Sequence, residues 1–195
     1  MASPTLFPTV APVLLAGSVA GLAFVAARDS FGGVGGKLGT LAFFGCATTI
    51  TLPGIDYAAG TAIPWVDAPP LIAVAVVGAV LTVVLSVRFD LGPVVGSALV
   101  GLAAGLALPT LAPATGETLA VVAFCASFVG MSSPERLATE AHVAVAGALC
   151  GLVFVLVSPA FAGAGGKLGT TAFVACVTLV GVTELHTAVR PANRG

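Results

Sequence analysis

The chain has 195 residues, of which 58% are apolar and only 8% are charged, and its mean hydropathy is +1.14. A soluble domain carries about 25% charged residues, and a fold of this length has no core large enough to bury so much apolar surface, so the composition excludes a soluble globular protein. The net charge of −1 and the absence of any lysine or arginine run exclude a nucleic-acid partner.

Seven apolar runs follow one another along the chain, separated by turn-forming residues. A helix that crosses a bilayer needs about 17–25 residues, and an open sheet in lipid would leave peptide groups unpaired. We therefore predict an all-α, polytopic transmembrane helix bundle that forms one integral membrane domain over residues 1–195. The predicted spans cover residues 8–28, 38–54, 69–88, 92–112, 118–133, 140–160 and 168–187.

The basic residues indicate an orientation for these spans. With the N-terminus outside and the C-terminus in the cytoplasm, the positive-inside rule is obeyed by six of the seven basic residues: Arg28, Lys37, Arg88, Arg136, Arg190 and Arg194. Only Lys167 falls on the opposite side. We expect the protein to lie in the plasma membrane in this orientation.

One segment of the chain is duplicated. Residues 31–46 read FGGVGGKLGTLAFFGC and residues 161–176 read FAGAGGKLGTTAFVAC, with eleven of the sixteen positions identical. The shared GGKLGT contains both lysines of the chain, Lys37 and Lys167. With the flanking matches, the copies extend over about 10–54 and 140–184, and a weaker copy over 96–133 has Glu117 near the lysine position. Each copy predicts a helical hairpin with a glycine-rich corner.

The position of the copies among the spans predicts that they are inverted. The first copy uses spans one and two and the last uses spans six and seven, an odd offset, so the two hairpins run in opposite senses across the bilayer. Inverted repeats are typical of channels and secondary transporters. We predict that the two corners form selectivity or gating elements on one pathway: Gly35, Gly36, Lys37, Gly39 and Thr40, with Gly165, Gly166, Lys167, Gly169 and Thr170.

The chemistry of this corner favours an anion or a carbonyl dipole, because free backbone N–H groups, the positive end of a helix and an ammonium occur together. The spacing differs from that of the nucleotide-binding phosphate loop. A simpler interpretation remains open: the glycines form only a tight turn and the lysines extend to the lipid headgroups.

Several other residues are candidates for packing or ion response. Glu140, His142, Glu184 and His186 lie near the ends of spans six and seven and form a hypothetical proton- or ion-responsive group. GxxxG spacings at Gly17/Gly21, Gly101/Gly105 and Gly147/Gly151 predict close helix packing within the chain. The four cysteines lack metal-ligand spacing and are predicted to be small buried side chains.

The sequence thus favours a small channel or transporter for an ion or small polar solute, with an anion weakly favoured. The alternative is a non-transporting membrane scaffold or accessory subunit. The chain contains no catalytic serine, zinc or paired-aspartate motif, so we expect neither an enzyme nor a cofactor or metal. Because so short a chain encloses only a narrow path, we also expect a homo-oligomer in the lipid bilayer.

Overall fold

The computed structural model describes residues 7–52 and 59–189, and these residues form seven α-helices and no strand. The helical class predicted from the sequence is therefore confirmed. Arg190 and Arg194 lie outside the described residues, and so do the ends of the first repeat copy and of the second predicted span. The helices are α1 (Phe7–Ala26), α2 (Lys37–Ile50), α3 (Ala68–Val83), α4 (Pro93–Leu111), α5 (Gly116–Gly130), α6 (Glu140–Leu156) and α7 (Lys167–Val189).

Local sequence explains where the helices begin. Gly36 precedes α2 with a φ of 80° and Gly92 precedes α4 with a φ of 78°, backbone conformations that favour glycine. Pro93 is the first residue of α4, where a missing N–H has no cost. The side chain of Thr139 accepts a hydrogen bond from the backbone N–H of His142 at 3.2 Å and so caps α6.

Three helical segments are long and apolar enough to cross a membrane: Trp65–Arg88, Pro93–Leu111 and Lys167–Val189. The first consists of a 3₁₀ turn, α3 and a terminal π-helical turn. The shorter apolar helical stretches, of 10–17 residues, are Val10–Ala26, Lys37–Ile50, Gly116–Gly130 and Glu140–Leu156. The structure thus agrees with a membrane protein.

The best-packed part of the molecule surrounds α3, which contacts α5 and α6 most extensively. Small residues allow these backbones to approach closely. A Cβ placed at Gly151 in α6 would lie 2.9 Å from Ile72 Cα in α3, and one at Gly78 in α3 would lie 2.7 Å from the Ala123 carbonyl oxygen in α5. Gly147 also faces α3, so the predicted packing of the Gly147/Gly151 pair within the chain is observed.

The hairpin of α1 and α2 lies at the side of this core. Helix α1 packs mainly on α2, and α2 packs on α7. Large apolar side chains of α1, such as Leu15 and Leu22, are more than 60% exposed. Gly17 faces Thr48 of α2, whereas a Cβ added at Gly21 would meet no described atom within 4 Å, so only one residue of this GxxxG pair makes a close contact. The outer face of the hairpin is therefore suited to lipid.

Candidate functional site

The two GGKLGT corners have nearly the same backbone. The φ angles are 72° at Gly33 and 73° at Gly163, and 80° at Gly36 and 81° at Gly166. The preceding turns also match, because Val34 donates to the Phe31 carbonyl at 3.2 Å and Ala164 donates to the Phe161 carbonyl at 3.1 Å. The sequence identity thus extends to local structure.

The threonines of the two corners stabilise the helix starts. Thr40 Oγ1 donates to the Gly36 carbonyl at 3.3 Å, and Thr170 Oγ1 donates to the Gly166 carbonyl at 3.0 Å. Thr40 is buried. Because both hydroxyls are used within their own helices, their position gives them a structural role beside the predicted site.

The two corners lie in direct contact with each other. A Cβ at Gly36 would lie 2.8 Å from Phe173 N, and one at Gly166 would lie 2.6 Å from Phe43 N. Gly39 and Gly169 face each other, and a Cβ on either would lie 2.7 Å from the Cα of the other. Each of these contacts has a counterpart displaced by 130 positions in sequence. The glycines are therefore required by the contact between the corners as well as by the turns.

Aromatic rings repeat this reciprocal pattern. The ring centroids of Phe31 and Phe173 lie 5.2 Å apart, and those of Phe161 and Phe43 lie 5.1 Å apart, both pairs edge to face. Phe31 and Phe161 occupy equivalent positions in the two copies, as do Phe43 and Phe173. All four phenylalanines belong to the eleven positions that are identical in the two copies. Their occurrence in both copies was therefore a signal in the sequence for the ring contacts between the copies.

A cavity of about 590 Å³, called here the central cavity, is formed by both corners. Lys37 and Lys167 line it together with the glycines of both predicted sets. Phe124 and Phe128 of α5 and Met131, which directly follows α5, complete this part of the lining. The structure thus brings together eight of the ten corner residues singled out in the sequence, all but the two threonines.

The two lysines differ in their contacts. Lys167 Nζ donates a hydrogen bond to the Ser158 carbonyl at 3.1 Å, and its side chain is half-buried. Lys37 is also half-buried, but within residues 7–52 and 59–189 its ammonium has neither a hydrogen-bond nor an ion-pair partner. The repeated residues therefore have similar positions and different environments.

A second cavity, of about 690 Å³, adjoins the central cavity and is called the vestibule. Ala164, Lys167 and Leu168 line both cavities. The vestibule lies among the N-terminal ends of α3, α5 and α7 and the C-terminal end of α6. Its polar lining includes Asp67, Thr115 and Thr118, which sequence reasoning missed because they lie outside the repeated corners.

The first corner is held by the loop between α5 and α6. Ser132 Oγ accepts a hydrogen bond from Gly35 N at 3.0 Å, and Ser133 N donates to the Gly33 carbonyl at 2.8 Å. The guanidinium of Arg136 donates to the Ser30 and Gly32 carbonyls, both at 2.8 Å. In the same loop, a hydrogen bond from Ser133 lowers the pKa of the exposed Glu135 carboxyl.

The second corner is held by a different segment. Gly60 N donates to the Pro159 carbonyl at 2.9 Å, and Ile63 N donates to Ser158 Oγ at 3.0 Å. The supports of the two corners are therefore unrelated in sequence, although the corners themselves are nearly identical.

Within residues 7–52 and 59–189, no hydrogen bond or ion pair joins the hypothetical ion-responsive residues to one another. Glu140 pairs with Arg88 at 2.6 Å, and His142 Nδ1 lies 2.9 Å from Thr139 Oγ1. Glu184 and His186 lie exposed on the last part of α7, 17 and 19 positions beyond Lys167. At about 1.5 Å per residue they are some 25 Å from the corner. Any role they have is thus separate from the central cavity.

The cysteines have free thiols. Cys125 Sγ lies 3.6 Å from Cys150 Sγ and 3.2 Å from the Leu168 carbonyl oxygen. In the described part of the chain, no group of three or more histidine, cysteine or acidic residues has an arrangement that would hold a metal ion.

Comparisons of the chain with protein-family models, with curated proteins and with solved structures found no match.

Proposed function

We propose that the protein is a small membrane channel or transporter for an ion or small polar solute, and that the solute passes the two GGKLGT corners. The central cavity carries this proposal, because both corners and both lysines of the chain line it. If the duplicated turns served only to reverse the chain direction, there would be no reason for the two copies to line the same cavity.

The depth of the corners supports a place inside the membrane. Cys125 Sγ contacts the Leu168 carbonyl of the second corner, whereas Gly35 of the first corner packs against the backbone of Phe128. Cys125 and Phe128 are less than one turn apart in α5, about 4.5 Å along its axis. A hydrocarbon layer is about 30 Å thick. In the proposed inverted arrangement, at least one of the two corners re-enters the membrane to reach this common depth.

The reciprocal contacts support inverted repeats. An approximate two-fold axis exchanges the two hairpins. A contact between a position in the first copy and a different position in the second must therefore occur again with the two copies interchanged. The Gly36–Phe173 and Gly166–Phe43 contacts meet this requirement. Helix α2 has 14 residues and covers about 21 Å, so it is suited to begin within the membrane.

The charged loops support the proposed orientation over seven spans. Arg88, at the end of the π-helical turn, pairs with Glu140 at the start of α6, and Arg136 binds the loop that follows α1. The loops predicted to face the cytoplasm therefore meet at one end of the molecule. The vestibule lies at the other end, which we assign to the outside.

The electrostatics of the central cavity favour a solute that carries a negative group. Two ammonium groups and the N-terminal ends of α2 and α7 lie at its walls, and helix N-termini carry a partial positive charge. Attraction to these charges is strongest where the corner excludes water, since the local dielectric constant is low there.

Flux through proteoliposomes tests this function. We expect the wild-type protein to pass chloride down a gradient, and we expect Lys37→Ala and Lys167→Ala each to reduce that flux about tenfold, because each removes a cation from a partly desolvated path. The matched control is Arg28→Ala, which removes a cation that is 73% exposed and lies beside Asp29. It should leave the flux unchanged.

Equal flux in the wild type and both lysine variants would contradict a pathway between the corners. An intact protein that passes neither chloride nor small polar solutes would overturn the function and favour the membrane scaffold instead. Gel filtration of each variant in detergent establishes that the protein is intact.

A further inference from the structure

The vestibule contains two opposite charges that are not paired with each other. Asp67 and Lys167 both line it, yet no ion pair joins them within the ranges that the structure describes. Asp67 immediately precedes α3, and its carboxylate accepts no capping hydrogen bond from that helix. Lys167 uses one of its three ammonium donors on the Ser158 carbonyl, and among the described residues the other two have no partner.

The rest of the vestibule lining is mainly apolar; of the two charged residues, Asp67 is exposed and Lys167 is half-buried. Leu71, Leu119, Val121 and Phe154 contribute to this lining, with the hydroxyls of Thr115 and Thr118 beside them. Small-molecule sites have this composition: an apolar lining with a few polar groups that fix the orientation of the ligand. The volume of about 690 Å³ lies within the range of such sites, about 300–1,000 Å³.

We propose that the vestibule binds a small zwitterionic solute with an apolar side chain, of the α-amino-acid type. Its carboxylate is bound by Lys167, its ammonium by Asp67, and its side chain lies against the apolar wall. A simple anion would gain nothing from Asp67, and a simple cation would be repelled by Lys167. This inference deepens the proposed function and rests on it, because Lys167 and Leu168 also line the central cavity into which the carboxylate end would move.

The two lysines then have different roles in spite of their sequence identity. Lys167 binds the solute at the boundary of both cavities, whereas Lys37 lines only the central cavity of the two. The difference agrees with the unequal surroundings of the two ammonium groups.

Binding to the purified protein in nanodiscs, measured by isothermal titration calorimetry, tests the site without any need for flux. Three probes share the isobutyl side chain of leucine: L-leucine, 4-methylpentanoate, which lacks the ammonium, and 3-methylbutylamine, which lacks the carboxylate. We expect L-leucine to bind at least tenfold more tightly than either analogue. This comparison uses only the wild-type protein and so does not depend on the folding of a variant.

Two substitutions then assign the ends of the solute. Asp67→Asn should remove the advantage of L-leucine over 4-methylpentanoate, and Lys167→Gln should remove its advantage over 3-methylbutylamine. The controls are Asp29→Asn and Arg28→Gln, which change the same charges on an exposed loop; both should retain the wild-type preference.

Equal affinity for the three probes, or no binding of any of them, would overturn the zwitterion site. Chloride flux without L-leucine binding would overturn it and leave the proposed function intact. L-leucine binding without flux of L-leucine or chloride would support the site and contradict transport.

Discussion

Gly39 in α2 and Gly169 in α7 face each other where the two helices meet. Gly169 is buried, and neither position has room for a methyl group between the two backbones. Overpacking of this kind typically costs about 1–3 kcal/mol. Gly181, in the same helix as Gly169, is exposed, and no atom of the described residues lies within 4 Å of an added Cβ. The chain thus supplies its own comparison for the effect of a glycine in α7.

We expect Gly169→Ala to lower the midpoint of thermal unfolding in detergent, by an amount equivalent to about 1–3 kcal/mol. Gly181→Ala should leave it unchanged or raise it slightly, since alanine is favoured over glycine in a helix by about 0.5–1 kcal/mol. Circular dichroism at 222 nm follows both transitions. Equal unfolding temperatures of the two variants would contradict the close approach of the Gly169 and Gly39 backbones.

At the residue scale, the repeat in the sequence singled out eight residues that line the central cavity. The repeat pointed to these glycines and lysines because both copies contain them at positions 130 residues apart. Asp67, Ser158 and Arg136 have no repeated counterpart. Arg136 reaches the first corner and Asp67 reaches the vestibule through the packing of segments that are distant in sequence, for which single residues give no signal. Ser158 binds Lys167 from the turn that follows α6.

The loop between α5 and α6 is the element on which the first corner rests. Four backbone groups of residues 30–35 form hydrogen bonds with this loop: one with the Ser132 hydroxyl, one with the Ser133 backbone N–H and two with the Arg136 guanidinium. Hydrogen bonds from a charged donor are worth about 1.5–3 kcal/mol when they are shielded from water. Arg136 is partly exposed, so the lower end of that range applies.

Arg136→Ala should therefore loosen the first corner while the helices remain. We expect hydrogen exchange at residues 31–36 to accelerate about tenfold, with little change in the second corner. Arg136→Lys, which retains one donor group, should give an intermediate rate, and Arg28→Ala should have no effect. Unchanged exchange in Arg136→Ala would show that the corner does not depend on this loop.

At the element scale, apolar runs predicted the seven helices well because a helix is the only way to satisfy the peptide groups of such a run in lipid. The neighbours of each helix were not predictable in the same way. Helices such as α3 and α4 are apolar on all sides, so no amphipathic stripe indicates a buried face. Of the three GxxxG pairs, only that of α6 makes close contacts at both of its glycines.

The whole molecule has two ends of different chemistry: a cytoplasmic end, in the proposed orientation, where Arg88 and Arg136 make their contacts, and an outer end where the vestibule lies. Asp29 and Glu117 are exposed at these two ends, at the α1–α2 loop and in the first turn of α5. They are suitable positions for a test of the orientation.

In a Cys46→Ser background, a membrane-impermeant maleimide should label Glu117→Cys in intact cells. It should label Asp29→Cys only after the membrane is permeabilised. The three remaining native cysteines are buried and should stay unlabelled. Labelling of both positions in intact cells would contradict the seven-span orientation, and labelling of Asp29→Cys alone would reverse it.

The contact between the corners also has a consequence for the synthesis of the protein. Lys37 leaves the ribosome 130 residues before Lys167. At about 5–20 residues per second, the first hairpin waits roughly 6–26 s for the partner that completes it. During that time Gly36 and Gly39 have no α7 to pack against. The environment of the first corner is therefore completed by a helix that is translated about 130 residues later.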